Sequence, residues 1–247
     1  METPRRLGFG AHADAYERAR PEWPIEAARW LVPEDASLVV ELGAGTGKLT
    51  RAISELGGVR VVAVEPDERM RSVLESHGLE SVAGSAEEIP LGDGEADAVV
   101  AGSALHWFDL DRALPEVHRA LRPDGRFAFG WNHRDIRVPA VLQLQERIHA
   151  AAPPPGAWWQ RDWTADVIGS GLFGEPERAG FDHVLELPRD ALGDHLLSYS
   201  GFARLPDDER SRVFERVAAL VDAEPSLGDG DRLTLPFVVD AFRFVRI

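Results

Sequence analysis

The chain has 247 residues, and its 42 acidic and 27 basic side chains leave a formal net charge of −15. Such an acidic protein is a poor partner for nucleic acid, whose phosphates need a basic surface. The absence of cysteine excludes disulfides, thiolate zinc sites and a cysteine nucleophile. No apolar run reaches the roughly 18 residues of a membrane span, and the beginning of the chain is rich in charge. We therefore expect a cytoplasmic protein without a membrane partner.

The first half of the chain alternates between strand and helix patterns. Strands are predicted at residues 38–42, 59–64, 81–83, 97–101 and 126–131, and helices at 22–32, 47–56, 67–77 and 110–121. Parallel strands joined by helices form a doubly wound sheet, whose ligands bind beyond the carboxyl ends of the strands. One large α/β domain with an insertion is the expected organisation at this length.

The second half is less regular. Residues 132–180 are expected to be less regular, and the proline run at 153–155, which several tryptophans follow, predicts a bend. A further strand is predicted at 181–187. A helical insertion is predicted at 191–222, because its apolar residues fall on one helix face. The last strand is predicted at 232–247.

A glycine-rich turn follows the first predicted strand. Gly43, Gly45 and Gly47 alternate along it, and glycine lets the main chain approach a ligand closely. A dinucleotide-binding turn reads G-x-G-x-x-G, but Lys48 occupies the place of its last glycine. Glu65 ends the next strand, where a carboxylate accepts hydrogen bonds from the hydroxyls of a ribose. The turn and Glu65 predict a nucleoside ligand and leave open whether it is NAD.

Five segments resemble one protein family, in the same order along the chain. E-x-G-x-G-x-G at 41–47 resembles motif I of the class I S-adenosylmethionine (SAM) dependent methyltransferases, and G-S-A-E-E-I-P at 84–90 resembles their G-D-A-x-x-L-P loop. L-R-P-D-G at 121–125 resembles the L-R-P-G-G turn of the same family. The segments that resemble a small-molecule branch are H-W-F-D at 106–109 and F-x-x-x-A-x-x-Y at 9–16 followed by R-P-E-W-P at 20–24. This branch contains methyltransferase type 11-like and trans-aconitate methyltransferase-like proteins.

The resemblance implies a Rossmann-like, seven-stranded, doubly wound α/β sheet. Such a sheet is mostly parallel with an antiparallel last strand, and it carries helices on both faces and a helical substrate-cap insertion. Residues 1–247 are expected to form a single methyltransferase domain. An N-terminal helical lead at 1–32 is expected to close over the cofactor, and a SAM-binding core is expected at 33–131. Substrate-side segments with the helical insertion are expected at 132–230, and a final strand at 231–247.

The resemblance also implies SAM as the cofactor and names the residues that hold it. The glycine loop wraps its amino-acid and ribose parts, Glu65 accepts from its ribose hydroxyls, and Arg20 pairs with its carboxylate. Ser85 replaces an aspartate that meets the adenine amino group in the family, and the Ala86 amide can serve a ring nitrogen. The predicted cofactor residues are Tyr16, Arg20, Glu41, Gly43, Ala44, Gly45, Gly47, Glu65, Pro66, Ser85, Ala86, Glu87 and Ser103.

Catalysis needs few side chains, because the methyl group of SAM is already electrophilic and the protein must mainly orient the acceptor and exclude water. His106, after the fourth strand, is predicted to act as a base for a hydroxyl or amine acceptor, or to position a carboxylate. A structural packing role is its alternative. Tyr16 is the second catalytic candidate. The predicted substrate-lining residues are His106, Trp107, Trp131, Trp158 and Trp159, for which plain aromatic packing is the alternative.

The predicted function is methyl transfer from SAM to an oxygen, nitrogen or carboxylate of a small molecule, by a monomer or homodimer. An NAD(P)-dependent oxidoreductase is the first alternative, although neither tyrosine has a lysine four residues later. A SAM-binding module without catalysis is the second. The histidines lack a metal-binding spacing, so no metal is expected. Lys48 is expected to be exposed on the first turn of its helix, since lysine is seldom buried.

Overall fold

A computed structural model describes residues 13–153 and 155–247. Residues 9–12 of the predicted N-terminal lead lie outside this part of the chain. Strands β1 to β8 span Leu38–Leu42, Arg60–Val64, Ser81–Val82, Ala96–Gly102, Leu121–Arg134, Glu177–Pro188, Gly228–Asp229 and Arg232–Val245. Helices α1 to α10 span Ala13–Ala19, Ile25–Leu31, Lys48–Ser54, Glu68–Ser76, Leu110–Ala120, Pro139–Ala151, Trp163–Gly169, Leu192–Leu197, Ser200–Ala203 and Asp207–Ala223.

Seven of these strands form the main sheet, in the order β3-β2-β1-β4-β5-β8-β6, and the short β7 pairs with β8. Strands β1 to β5 are parallel to one another, whereas β8 is antiparallel to both β5 and β6. The strand order reverses between β1 and β4, which is where a doubly wound sheet opens a crevice at its carboxyl edge. The predicted fold class is confirmed.

The centre of the sheet is buried on both faces. Every residue of β4 before Gly102 is buried, as expected for a parallel strand with helices on either side. One face packs against α5 and α7, and the other against α2 and α3. This two-sided packing holds the carboxyl ends of β1 and β4 side by side.

Strands β6 and β8 extend beyond the end of β5 and carry the helical insertion. The pairing of β8 with β5 ends at Arg134 opposite Phe237, whereas its pairing with β6 continues to Pro188 opposite Arg232. Helices α8, α9 and α10 are inserted between these two strands, and together with α6 they pack on the extension around a second apolar core. The predicted insertion is therefore present, on the side of the carboxyl end of β5.

Two helices lie in the region 132–180, which we expected to be less regular, one before and one after the proline run. Helix α6 begins at Pro139, and proline fits the first position of a helix because the missing N–H has no helical partner there. Helix α7 is capped by the carboxylate of Asp162, which accepts hydrogen bonds from two backbone amides. Within the described ranges, no helix is both long enough and apolar enough to cross a bilayer.

Candidate active site

A cavity of about 1100 Å³ lies at the carboxyl ends of the parallel strands. The glycine loop and the segments after β2, β4 and β5 form its floor. Helices α1 and α6 and the segment around Trp158 cover it. One ligand usually occupies a pocket of about 300–1,000 Å³. This cavity therefore has room for two small molecules side by side.

The glycine loop has a backbone conformation that glycine adopts at no steric cost. Gly43, Gly45 and Gly47 have φ angles of +68°, +59° and +88°. A Cβ atom on Gly43 would lie 2.8 Å from the Cβ atom of Ala104, so the loop packs tightly against the segment after β4. A Cβ atom on Gly45 would meet no protein atom within 4 Å, and Gly45 lines the cavity. The backbone at Gly45 therefore borders open space in which a ligand fits.

Glu65 follows β2 and lies in the cavity wall beside the glycine loop. Its Oε2 accepts a hydrogen bond from the Gly45 amide and its Oε1 accepts one from the Asp67 amide, both at 2.9 Å. Burial raises the pKa of Glu65, although the two amides favour its charged form. These bonds fix the orientation of the carboxylate at the wall.

Glu41, another predicted cofactor residue, lies behind the glycine loop. Its side chain is buried and accepts a hydrogen bond from the Thr50 hydroxyl. Burial raises the pKa of Glu41 to about 8, so the carboxyl group is mostly protonated at neutral pH. Glu41 and Ala44 border a small side cavity of about 30 Å³ rather than the large one. Glu41 is therefore part of the packing beneath the glycine loop.

Lys48 is buried, so our prediction of an exposed side chain is wrong. Its Nζ lies 2.6 Å from a carboxylate oxygen of Glu22 and 3.7 Å from one of Glu17. The physical reason is that α1 and the segment after it lie across the start of α3 and bring two acidic side chains to the lysine. These ion pairs tie the N-terminal segment to the helix that follows the glycine loop.

Tyr16 and Arg20 bring the N-terminal segment to the cavity. The guanidinium carbon of Arg20 lies 5.2 Å from the ring centre of Tyr16 and 3.7 Å from that of Tyr199. Its Nη2 donates to the Ser198 carbonyl at 2.9 Å, while its buried Nε has no acceptor among the described residues. Burial raises the pKa of Tyr16, so the phenol stays protonated at neutral pH. Arg20 therefore keeps a donor that a ligand can use.

His106 lies in the cavity wall as a neutral ring. The indole N–H of Trp131 donates to its Nδ1 at 3.4 Å, and because an indole can only donate, the ring carries its proton on Nε2. Trp158 stacks on His106, with ring centres 4.3 Å apart and planes 14° apart. Burial, together with the charge of Arg20, lowers the pKa of His106 to about 3. The imidazole is thus uncharged at neutral pH.

The wall around His106 is aromatic. The ring centres of Trp131 and Trp158 lie 6.1 Å apart, and that of Trp163 lies 5.9 Å from Trp131. The Trp107 ring lies 4.8 Å from His106, and Trp159 is 44 % exposed at the edge of the cluster. All of these side chains line the cavity. The part of the cavity around His106 is therefore suited to an apolar molecule.

Known proteins similar to this chain share one activity. A methyltransferase domain family matches residues 40–129. An uncharacterised methyltransferase of Mycobacterium tuberculosis is 41 % identical over 239 residues, which cover 96 % of this chain and 95 % of the relative. A second uncharacterised methyltransferase-like protein, from Schizosaccharomyces pombe, is 31 % identical to this chain, and the match covers 92 % of this chain and 91 % of the relative. A solved structure from Anaeromyxobacter dehalogenans, described as a proposed type II methyltransferase, is similar with a TM-score of 0.70 and 26 % identity, over 92 % and 97 % of the two chains.

The chain belongs to the class I SAM-dependent methyltransferases. This membership removes the oxidoreductase alternative and implies SAM as the cofactor. The glycine-loop end of the methyltransferase fits SAM, because it combines bare backbone at Gly45, a fixed carboxylate at Glu65 and a spare donor on Arg20.

The large cavity brings together most of the residues singled out in the sequence of this methyltransferase. Those that line it are Tyr16, Arg20, Gly43, Gly45, Glu65, Pro66, Ser85, Ala86, Glu87, Ser103, His106, Trp107, Trp131, Trp158 and Trp159. Glu41, Ala44 and Gly47 lie outside this lining. Ser103 has a positive φ of 54° and accepts a hydrogen bond on its Oγ from the Asn132 amide at 3.2 Å, which joins the ends of β4 and β5.

The sequence analysis missed three residues in and next to the cavity wall of the methyltransferase. Arg134 and Tyr199 line the cavity, and His195 contacts Arg134 from α8. Arg134 ends β5, three residues after the predicted end of that strand. A longer strand would have placed it at the carboxyl edge, where ligand-binding residues are expected. No sequence signal indicated Tyr199 or His195, because their positions depend on how the insertion packs.

Proposed function

We propose that this methyltransferase transfers the methyl group of SAM to an oxygen, nitrogen or carboxylate of a small molecule. The observation that carries the proposal is one cavity with two differently built parts. The glycine loop and Glu65 line one part, the cofactor end, and His106 and the tryptophans line another, the acceptor end. Such a cavity suits a reaction between two small molecules held side by side.

Gly43, Gly45 and Glu65 would hold SAM, with Arg20 at its carboxylate. When bound, SAM supplies a methyl group that is electrophilic without further activation. The task left to the chain is to orient the acceptor and to keep water away from it. The aromatic wall around Trp131 and Trp158 supports the exclusion of water from the acceptor.

His106 positions the acceptor in this proposal and does not remove a proton from it. Its Nδ1 is occupied by the Trp131 N–H, and a pKa of about 3 makes the ring a weak base at neutral pH. The remaining Nε2–H can donate a hydrogen bond to the acceptor. Of the three kinds of acceptor atom, a carboxylate fits this histidine best, because it is a nucleophile without losing a proton.

Two measurements test the proposal. Calorimetric titration should show binding of SAM and no binding of NADH. SAM with a labelled methyl group should then label the small-molecule fraction of a cell extract, and not its protein or nucleic acid. Label in macromolecules alone would contradict the small-molecule acceptor, and SAM binding with no labelled product in any fraction would favour a SAM-binding module without catalysis.

A further inference from the structure

Exposed apolar side chains gather where the large cavity opens to solvent. Eight large apolar residues are exposed in the described part of the chain, and three of them line this cavity. They are Ile136, Leu142 and Trp159, which are 49 %, 38 % and 44 % exposed. Side chains that both line a cavity and face solvent mark its opening, so we call these three the apolar mouth. Exposed apolar residues that are grouped at a cavity indicate a place where an apolar ligand lies.

The apolar mouth is connected to the aromatic wall around His106. Trp158, which stacks on His106, has its ring centre 6.2 Å from that of Trp159. The Trp159 ring lies 5.5 Å from the ring of His149, on α6. Leu142 precedes His149 by two turns on the same face of this helix, about 10 Å along its axis, and both residues line the cavity. A ligand can therefore extend from His106 to the mouth along a continuous wall.

The polar side chains on this face of α6 bind each other. The side-chain oxygen of Gln145 accepts a hydrogen bond from Arg134 at 2.8 Å, and its amide nitrogen donates to Nε2 of His149. Burial lowers the pKa of His149, so its ring is uncharged at neutral pH. An apolar chain can lie over Gln145 and His149 without covering an unpaired charge.

Space and charge favour part of a small molecule as the occupant of the mouth. The cavity of about 1100 Å³ is larger than the pocket of about 300–1,000 Å³ that one ligand usually fills. An anionic membrane surface attracts basic segments, whereas this protein has a net charge of −15. Glu146, an exposed acid that also lines the cavity, lies one turn after Leu142 on α6. The mouth therefore fits an uncharged apolar chain better than an anionic surface.

We propose that the acceptor is a lipid-like molecule, whose extended hydrocarbon chain runs along α6 and leaves the cavity through the apolar mouth. This class of substrate rests on the proposed function and deepens it. The reacting group of the acceptor lies beside His106, and the chain contacts Trp158 and Trp159 before it reaches Leu142. The chain is compatible with any of the three kinds of acceptor atom.

Primary alcohols from 1-butanol to 1-dodecanol test the chain by calorimetry, with S-adenosylhomocysteine, the product formed from SAM, present at saturation. Each methylene that enters the cavity should tighten binding about fourfold. Leu142→Gln should weaken binding of 1-dodecanol about fivefold and leave that of 1-butanol unchanged, because only a long chain reaches the mouth. Ile168→Gln is the matched control, since Ile168 is also a helical residue with 38 % exposure but lies outside the cavity lining. This control should bind every alcohol as the wild type does.

Three results would overturn the proposal: equal affinity of the wild type for all the alcohols, equal weakening of short and long alcohols in Leu142→Gln, or the same weakening in Ile168→Gln. Ile136→Thr changes a turn rather than a helix and should repeat the effect of Leu142→Gln, also if the latter fails to fold. Sedimentation with phosphatidylcholine vesicles that Leu142→Gln abolishes would make the mouth a membrane-docking face instead. Failure of S-adenosylhomocysteine to bind would contradict the proposed function itself, whereas its binding without any effect of chain length would contradict the lipid-like acceptor alone.

Discussion

The two ends of the cavity are built in different ways. The cofactor end is made of short segments that directly follow strands, with Gly43 and Gly45 after β1 and Glu65 after β2. The acceptor end combines residues that are far apart in the sequence, such as His106, Trp131 and Trp158. The first end depends on local chain geometry, and the second depends on how the insertion and α6 pack over the sheet.

The two ends also differ in their side chains. At the cofactor end, two backbone amides bind Glu65, and Lys48 is paired with Glu22. Arg20 and Arg134 share the Tyr199 ring, and both have a buried Nε without an acceptor among the described residues. The acceptor end around His106 is aromatic instead. Changes at one end should alter the binding of one ligand and spare the other.

Glu65→Gln should have the largest effect on the cofactor end. Hydrogen bonds to a charged group contribute about 1.5–3 kcal/mol, so loss of the charge should raise the dissociation constant of SAM by about 12-fold to 150-fold. The KM of the acceptor at saturating SAM should stay unchanged. Glu80→Gln is the control, because Glu80 is an exposed carboxylate paired with Arg60 at the opposite end of β2. Wild-type SAM affinity in Glu65→Gln would remove this carboxylate from the cofactor site.

Gly45→Ala separates the backbone strain of the glycine loop from its contact with the ligand. Gly45 and Gly57 have φ angles of +59° and +74°, and a Cβ atom on either meets no protein atom within 4 Å. Alanine should cost each site about 1–2 kcal/mol of stability through its left-handed backbone. Only Gly45 lines the cavity, so only Gly45→Ala should weaken SAM binding, by about tenfold or 1.4 kcal/mol.

Calorimetry measures the SAM affinity of both variants, and chemical unfolding measures their stability. Equal SAM affinity in Gly45→Ala and Gly57→Ala would contradict a ligand contact at the glycine loop.

This contrast also explains what the sequence could and could not predict. Most strands and the glycine loop follow from apolar periodicity and glycine spacing, which are local. The burial of Lys48 could not be predicted, because it depends on Glu17 and Glu22. These residues come from the N-terminal segment, which lies across the start of α3. Helix α6 was missed because the region 132–180 showed no pattern regular enough to predict a helix before the proline run. Arg134 was missed because β5 continues past residue 131 by pairing with β8, a contact with no trace in the local pattern.

Trp158→Ala should change the acceptor end alone. The ring stacks on His106, and such a pair contributes about 0.5–1.5 kcal/mol. We expect the KM of the acceptor to rise about fivefold, with the dissociation constant of SAM unchanged. Trp30→Ala is the matched control, because this tryptophan packs against Phe181 outside the cavity. A larger change in the dissociation constant of SAM than in the KM of the acceptor would show that the two ends are not separate.

The smallest effect is expected from His106→Asn, and it distinguishes a positioning residue from a base. Because the pKa of His106 is lowered to about 3, the ring charges only below that pH and stays neutral throughout the neutral range. The pH profile of kcat should therefore show no inflection near the ordinary histidine pKa of about 6.5. Asparagine keeps an N–H donor, so kcat should fall only about threefold, within the range for one neutral hydrogen bond. An inflection near neutral pH that His106→Asn abolishes would make His106 a base, and the acceptor would then be a group that must lose a proton.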